Sequence, residues 1–237
     1  MKSLYLDQVD STNIYLKTHY QKLDHFTWLH SNHQTNGRGR LHKVWYGDKD
    51  SLMCSVLLKT ELNKSWINLI PLLAAKSLHL VLYPYHNDIK IKWPNDLLIN
   101  QLKLSGILVE SIIEKDQVLA VVVGFGININ QIEFRDDIKD IATSLSIQTK
   151  QVYDKNIIFE ALQKQFYEDF QAFILKQTFV IDYCNKYLAF KDQMITYKDH
   201  ETLIKAKVIK INQDGYLLVE KDHHKTLLSS GEISICK

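Results

Sequence analysis

The sequence predicts an α+β fold in which a mixed or antiparallel sheet carries helices on one side and a small β-barrel follows. Three observations carry this. Residues 89–92, 104–113 and 117–129 are rich in Ile, Leu and Val, and the short gaps Asn100-Gln101 and Glu114-Lys115-Asp116 suit antiparallel hairpins. Two other stretches, 67–82 and 156–175, repeat apolar residues at the helical period. After about residue 190 the pattern changes to five short strands separated by turn residues, as a small barrel requires.

Taken in order, Ser11 precedes a segment in which Leu16, Tyr20 and Leu23 fall at i, i+4 and i+7, an amphipathic first helix capped by a hydroxyl residue. Residues 27–31 form a short strand. Residues 32–48, with Gly37, Gly39 and Gly47 among polar side chains, read as a long mobile loop of the kind that carries function. Residues 51–58 are a strand, and in the helix over 67–82 Ile67, Ile70, Ala74 and Val81 share a face while Pro71 sits in the first turn. In the helix over 156–175, Phe159, Leu162, Phe166, Phe170 and Phe173 recur at helical spacing and read as core rather than as a cofactor box. A second helix over 178–188 follows. The C-terminal strands fall near 194–197, 202–211, 216–220, 225–228 and 232–235, with Asn212-Gln213-Asp214-Gly215 as one of the turns. Neither a repeat nor a low-complexity linker is visible, so the expected division is residues 1–189 for a larger domain and 190–237 for a barrel packed directly on it.

Composition narrows the function. A chain of 237 residues with a formal charge of +2, acids and bases mixed along it, carries no field of one sign, which argues against duplex nucleic acid as a partner. Cys54, Cys184 and Cys236 are far apart and odd in number, so neither a disulfide framework nor a zinc site has support and a reducing cytoplasm fits. The N-terminus has no apolar leader segment, and no run is long enough to span a bilayer, so neither export nor a membrane is expected.

The chain has only three arginines, Arg38, Arg40 and Arg135, and two of them flank Gly39 in the long loop. A guanidinium grips phosphate or carboxylate in two places, and Gly37 and Gly39 let the backbone approach such an anion. The plain alternative is a solvated Gly- and Arg-containing loop. Gly37-Arg38-Gly39-Arg40-Leu41-His42 and Gly124-Phe125-Gly126-Ile127-Asn128 both lack the third glycine of a dinucleotide fingerprint, and no P-loop is present, so any ATP is held by another arrangement. In Lys92-Trp93-Pro94-Asn95-Asp96 a strand ends at a proline and leaves an amide and a carboxylate at its exit, able to read a base edge or bind Mg²⁺, or simply to make a turn beside a buried tryptophan. Lys103 opens a strand through Glu110 in which Gly106 removes a side chain where a ligand could lie; its alternative is a solvated edge lysine.

These blocks together resemble the biotin protein ligases: Ser11-Thr12-Asn13, the loop from Gln34 to Trp45, residues 92–96, Lys103 to Glu110, and Gly124 to Asn130, with Ser230-Gly231-Glu232-Ile233-Ser234 as a C-terminal echo. The resemblance covers nearly the whole chain. It implies a class II synthetase-like catalytic domain closed by an SH3-like barrel. It further implies an ATP- and Mg²⁺-dependent reaction that makes biotinyl-5′-adenylate and passes biotin to a lysine on the biotin carrier domain of a biotin-dependent carboxylase. Ser11, Thr12, Asn13 and Gln34 would hold the biotin ureido head; Arg38 and Arg40 the biotin carboxylate and the α-phosphate; Lys103 the charge that develops during transfer. Asn95 and Asn128 would serve the adenine and metal side, with Gly106 and Gly124 lining the slot and Trp45 folding the loop over the adenylate; the metal ligands themselves are not assigned. Some relatives bear an N-terminal DNA-binding winged helix, whereas only ten residues precede Ser11, so the resemblance points to the monofunctional type; it leaves a homodimer open.

Two departures stand out. His42-Lys43 replaces the family's Gly-Arg, which removes a hinge and turns a fork into a point charge, and Phe125 is bulkier than usual, as a core-facing strand residue would be. Two other functions compete. A lipoate or octanoate ligase would share the fold but not need the polar clamp, and a non-catalytic biotin sensor would not need Arg38, Arg40 and Lys103 together.

Overall fold

Strands β1 (Ser3–Val9) and β2 (Thr27–Gln34) run parallel, and β3 (Ser51–Leu58), β4 (Lys90–Lys92), β5 (Asp96–Ile99), β6 (Leu102–Glu114) and β7 (Gln117–Asn128) add antiparallel pairs to make one sheet in the order β1-β2-β3-β7-β6-β5-β4. This computed structural model describes residues 2–59, 64–115, 117–199, 202–229 and 233–235. The expected hairpins are present: Asn100 and Gln101 turn β5 into β6 with φ of 49° and 67°, and Lys115 stands between β6 and β7 at φ 43°. Strand β1 is an addition to the sequence expectation. It lies at the sheet edge with its side chains exposed or half-buried, so it lacks the apolar run that announces a strand.

Helices α2 (Ile70–Leu82) and α4 (Lys155–Leu175) cover one face of the sheet, where they bury Trp28, Cys54, Val56, Val121, Val123 and Phe125. All five apolar residues of the α4 stripe are core. Helix α2 begins three residues later than expected, with Pro71 in its first turn as anticipated. Helix α1 (Thr12–His19) lies on the opposite face, where Leu16 packs against Leu29, Leu57, Ala120 and Val122. The expectation of helices on one side thus holds for the long helices and not for α1. The cue lies in β3, whose eight residues are all buried: apart from Ser51 and Ser55 it is apolar on both faces, as a strand covered on both sides is. Ser11 stands at the N-cap position in an extended conformation, yet its side chain makes no capping bond. Helices α3 (Leu145–Thr149) and α5 (Thr178–Lys186) complete the layer.

The C-terminal strands β8 (Met194–Asp199), β9 (Thr202–Ile211), β10 (Leu217–Lys221), β11 (His224–Leu228) and β12 (Ile233–Ile235) fall where expected and pair in the order β11-β10-β9-β8-β12. Among the described residues they make an open five-stranded sheet in place of the expected closed barrel. The three residues of β12 are all engaged by β8 and none by β11, while Ser230, Gly231 and Glu232 lie outside the described residues. This sheet sits directly on the rest of the chain: Trp93 Nε1 donates to Gly215 O at 2.8 Å, and the Asn185 amide bonds both the N–H and the carbonyl of Ile211. Gly215 has φ +84°, and a Cβ there would lie 3.0 Å from Asn68 O.

Candidate active site

Gly106 and Gly126 face each other across β6 and β7, and Gly124 projects to the same face as Gly126 because strand side chains alternate. Phe125, between them, points into the core and stacks on Trp28 at 5.9 Å, as its bulk predicts. The glycine face, the start of α1 and the loop between β2 and β3 enclose a cavity of about 740 Å³. All the sequence-predicted site residues line it except Gly37, which stands just behind Gln34.

At one end the polar groups form a chain. Gln34 Oε1 accepts from the Thr12 N–H at 2.7 Å and lies 3.1 Å from Thr12 Oγ1. Ser55 Oγ lies 2.7 Å from both Thr12 Oγ1 and Asn13 Oδ1. Asn13 Nδ2 donates to Glu110 Oε2 at 2.9 Å and to Leu108 O at 3.3 Å, and Lys17 Nζ donates to Glu110 Oε1 at 2.6 Å. Gly124 is required here, since a Cβ would stand 2.2 Å from Asn13 Oδ1. Asn13 is therefore fully engaged by protein, whereas the Gln34 amide NH₂ meets, among the described residues, only the Met53 thioether at 3.3 Å, a poor acceptor. Sequence reasoning missed Ser55 and Lys17 because nothing in the chain marks a serine and a lysine 42 and 93 residues from their partners.

At the other end the loop forms a narrow hairpin. Trp45 N bonds Gly37 O at 3.0 Å, Gly39 N bonds Lys43 O at 2.7 Å, and the tip turns through Leu41 at φ 54°. A Cβ on Gly37 would meet Trp45 O at 2.4 Å. Arg38 and Arg40 project from this hairpin to the cavity, and Arg40 Nη1 donates to Asn95 Oδ1 at 2.9 Å. Asn95 in turn donates to Ile107 O at 2.7 Å, which fixes its amide. The Lys103 ammonium lies 2.9 Å from Asp96 Oδ1, out of line for a hydrogen bond but close enough for an ion pair, and 5.7 Å above the Trp45 ring. The space over Gly106, expected for a ligand, is filled by Lys103 and Trp45. The indole Nε1 is buried with no hydrogen-bond partner among the described residues.

Asn128 borders the cavity, but its amide donates to Thr143 O at 3.0 Å and more weakly to Lys103 O, tying the chain after β7 to the start of β6. Lys155, at the start of α4, bonds the carbonyls of Lys49 and Ser51 where the loop rejoins β3; burial lowers its pKa, against the raising effect of Asp50 and Asp48. Five cationic side chains, Arg38, Arg40, Lys43, Lys92 and Lys103, line the cavity against two carboxylates, Asp96 and Asp140, so it favours anionic ligands. Among the described residues no group of three or more His, Cys, Asp or Glu is placed to hold a metal.

The sequence profile of the Biotin/lipoate A/B protein ligase family matches residues 5–128. A bifunctional ligase/repressor, BirA, of Bacillus subtilis is 41% identical over 117 residues, 48% of this chain and 36% of that protein. A biotin--[acetyl-CoA-carboxylase] ligase of Paracoccus denitrificans is 32% identical over 128 residues, 52% of this chain and 53% of that protein. The chain thus spans under two thirds of these curated relatives. The solved biotin protein ligase from Aquifex aeolicus in complex with biotin and ATP superposes with a TM-score of 0.86 at 28% identity, covering 100% of this chain and 99% of that one.

Proposed function

The chain belongs to the Biotin/lipoate A/B protein ligase family, and from that premise we propose that it is an ATP-dependent biotin protein ligase. The observation that carries the reading is the convergence of Arg38, Arg40 and Lys103 on one cavity whose far end is the chain of amides and hydroxyls at Thr12, Asn13 and Gln34. A carboxylate and a triphosphate repel each other in water. Two guanidinium groups on one hairpin relieve that repulsion and hold the carboxylate oxygen in line with the α-phosphorus. Attack there forms the mixed anhydride and releases pyrophosphate. An acceptor lysine, as its neutral amine, then attacks the activated carbonyl; AMP leaves and the amine loses its remaining extra proton.

Lys103 stabilises negative charge on the oxygens in both half-reactions, and Asp96 holds its ammonium in place. Trp45, seated over the glycines, keeps water from the anhydride. Mg²⁺ fits as the companion of the triphosphate, with Asp96 and Asp140 as the carboxylates within the cavity. The acceptor is the biotin carrier domain of a carboxylase, in the cytoplasm, with the catalytic part of the chain ending near residue 189; the reading is compatible with a homodimer. No helix among the described residues is long and apolar enough to cross a membrane.

Intact mass spectrometry of a carrier domain incubated with this protein, Mg-ATP and either biotin or lipoate tests the proposal. The expected result is an ATP-dependent, biotin-sized shift in the biotin tube alone. A lipoate shift alone would mean that the polar clamp has been misread, and binding of biotin without transfer would make the protein a sensor.

A further inference from the structure

Glu110 and Ser55 touch no part of the reaction in the scheme above, yet they complete the hydrogen-bond chain behind the clamp. We propose that Glu110, held by Lys17, and Ser55 are positioning residues that fix the proton order of this chain, so that Thr12 Oγ1 acts as an acceptor and Gln34 Nε2 as a donor toward a cyclic urea. This rests on the reading of biotin as the substrate and goes beyond it by saying what sets the polarity of the clamp.

The order follows from counting protons. Glu110 is an acceptor on both oxygens, one taken by the Lys17 ammonium at 2.6 Å and the other by Asn13 at 2.9 Å. Leu108 O, the other neighbour of that end of Asn13, is also an acceptor. The amide must therefore turn its NH₂ toward them and its Oδ1 toward Ser55. Ser55 Oγ has one proton and two neighbours at 2.7 Å; Asn13 Oδ1 cannot donate, so it takes the proton. The Ser55 oxygen is then left with lone pairs only, and the Thr12 hydroxyl donates to it at 2.7 Å in preference to Gln34 Oε1 at 3.1 Å, which already takes the Thr12 backbone N–H. The Thr12 proton is thereby committed away from the cavity, and Oγ1 offers lone pairs to a ligand N–H. Gln34 is ordered independently: its Oε1 takes the Thr12 backbone N–H at 2.7 Å, which leaves its NH₂ facing a ligand carbonyl. An acceptor beside a donor matches the N–H and C=O edge of a ureido ring. Ser55 is fully buried, so water cannot supply an alternative order.

The test compares biotin with its two carbamate isosteres, each with one ureido N–H replaced by oxygen, by calorimetric Kd on the wild-type chain, Glu110→Gln and Ser55→Ala. In the wild type one isostere is expected to bind at least tenfold more weakly than the other, because an oxygen against Thr12 Oγ1 sets two acceptors face to face. In Glu110→Gln the new amide lets Asn13 turn over and the Thr12 proton swing to the cavity, so the difference between isosteres falls to within threefold. Ser55→Ala removes the nearer acceptor of the Thr12 proton with little change in volume and leaves it only the longer contact to Gln34 Oε1, so the difference between isosteres narrows in the same direction, which keeps the proposal open to test should Glu110→Gln fold poorly. A merely structural role would weaken all three ligands alike and leave their ratio at the wild-type value in both variants; that result overturns the inference. A wild-type chain that binds both isosteres equally overturns it too, with the ligase reading intact, whereas one that binds none of the three ligands removes the biotin reading and the inference with it.

Discussion

The indole of Trp45 fills the space that Gly126 leaves by having no side chain: a Cβ there would lie 2.3 Å from Cε2 of the ring. Gly106, directly across the sheet, frames the other side, with a Cβ position 3.2 Å from Cζ3. The glycine trough is thus the seat of the loop's tryptophan. Gly126→Ala is expected to push the indole out, shift tryptophan emission to the red and lower biotin transfer at least tenfold, since overpacking of this kind costs about 1–3 kcal/mol. Trp45→Phe serves as the reference for emission. Unchanged emission and transfer in Gly126→Ala would show that the loop does not depend on this seat.

Lys103 and the clamp lie at opposite ends of the cavity, so their variants should separate chemistry from recognition. Lys103→Met is expected to slow biotin-dependent pyrophosphate exchange by roughly a hundredfold to a thousandfold, the range for loss of one charge-stabilising donor, while the Kd for biotin moves less than tenfold. Arg40→Lys keeps the charge but loses the fork and the bond to Asn95 Oδ1, and is expected to impair exchange rather than restore it. Exchange within threefold of the wild type in Lys103→Met would remove this lysine from the mechanism.

What the sequence disclosed of this site was what local chemistry can disclose. Arg38 and Arg40 stood out because arginine is otherwise nearly absent, whereas Gly124 entered only through the family resemblance and Gly126 was not singled out. Ser55 and Lys17 were silent, because a serine in a strand and a lysine on a helix become informative only when the fold brings them to Asn13 and Glu110. The side of the sheet taken by α1 was misjudged for a related reason. One buried leucine on an eight-residue helix is a weak sign of direction, and the stronger sign, the apolar residues on both faces of β3, lay forty residues away. The closure of the C-terminal strands into a barrel depends on long-range pairing that strand spacing does not encode.

His79 is buried without charge. Its Nε2 lies 3.0 Å from Ile89 O and must carry the proton, so Nδ1 accepts from Tyr183 OH at 2.9 Å. Burial pushes its pKa down to about 4, with a smaller lowering by Lys90 set against the raising effect of the Ile89 carbonyl. Between about 6.5 and 4 the unfolded chain binds a proton that the folded chain does not, so stability falls as pH falls through this window and levels off below it. The full contribution is about 3–4 kcal/mol, since the 2.5 units between 6.5 and 4 each count about 1.36 kcal/mol. Burial lowers His25 and His30 as well, with Lys155 adding to the effect on His30, so the measurement must be a difference. Urea denaturation of the wild type and His79→Gln at pH 7 and pH 4.5 should show a clearly smaller loss in the variant; equal losses would mean that His79 does not drive acid lability.

Lys76 on α2 and Asp169 on α4 form an ion pair at 2.7 Å, both almost wholly buried. Asp169 also takes Ser77 Oγ at 2.6 Å and Gln165 Nε2 at 3.1 Å, and the Lys76 ammonium lies 5.2 and 5.1 Å from the rings of Phe179 and Tyr183. The pair joins the two long helices behind the sheet, far from the cavity. Its removal should therefore act on stability rather than on the reaction. Lys76→Met leaves a carboxylate buried beside two neutral donors and is expected to cost about 3–5 kcal/mol in guanidinium denaturation. Lys76→Met with Asp169→Leu removes both charges and should recover much of that loss, because the desolvation of each ion disappears with it. A loss below about 1 kcal/mol in Lys76→Met alone would mean that Ser77 and Gln165 suffice to hold the charge.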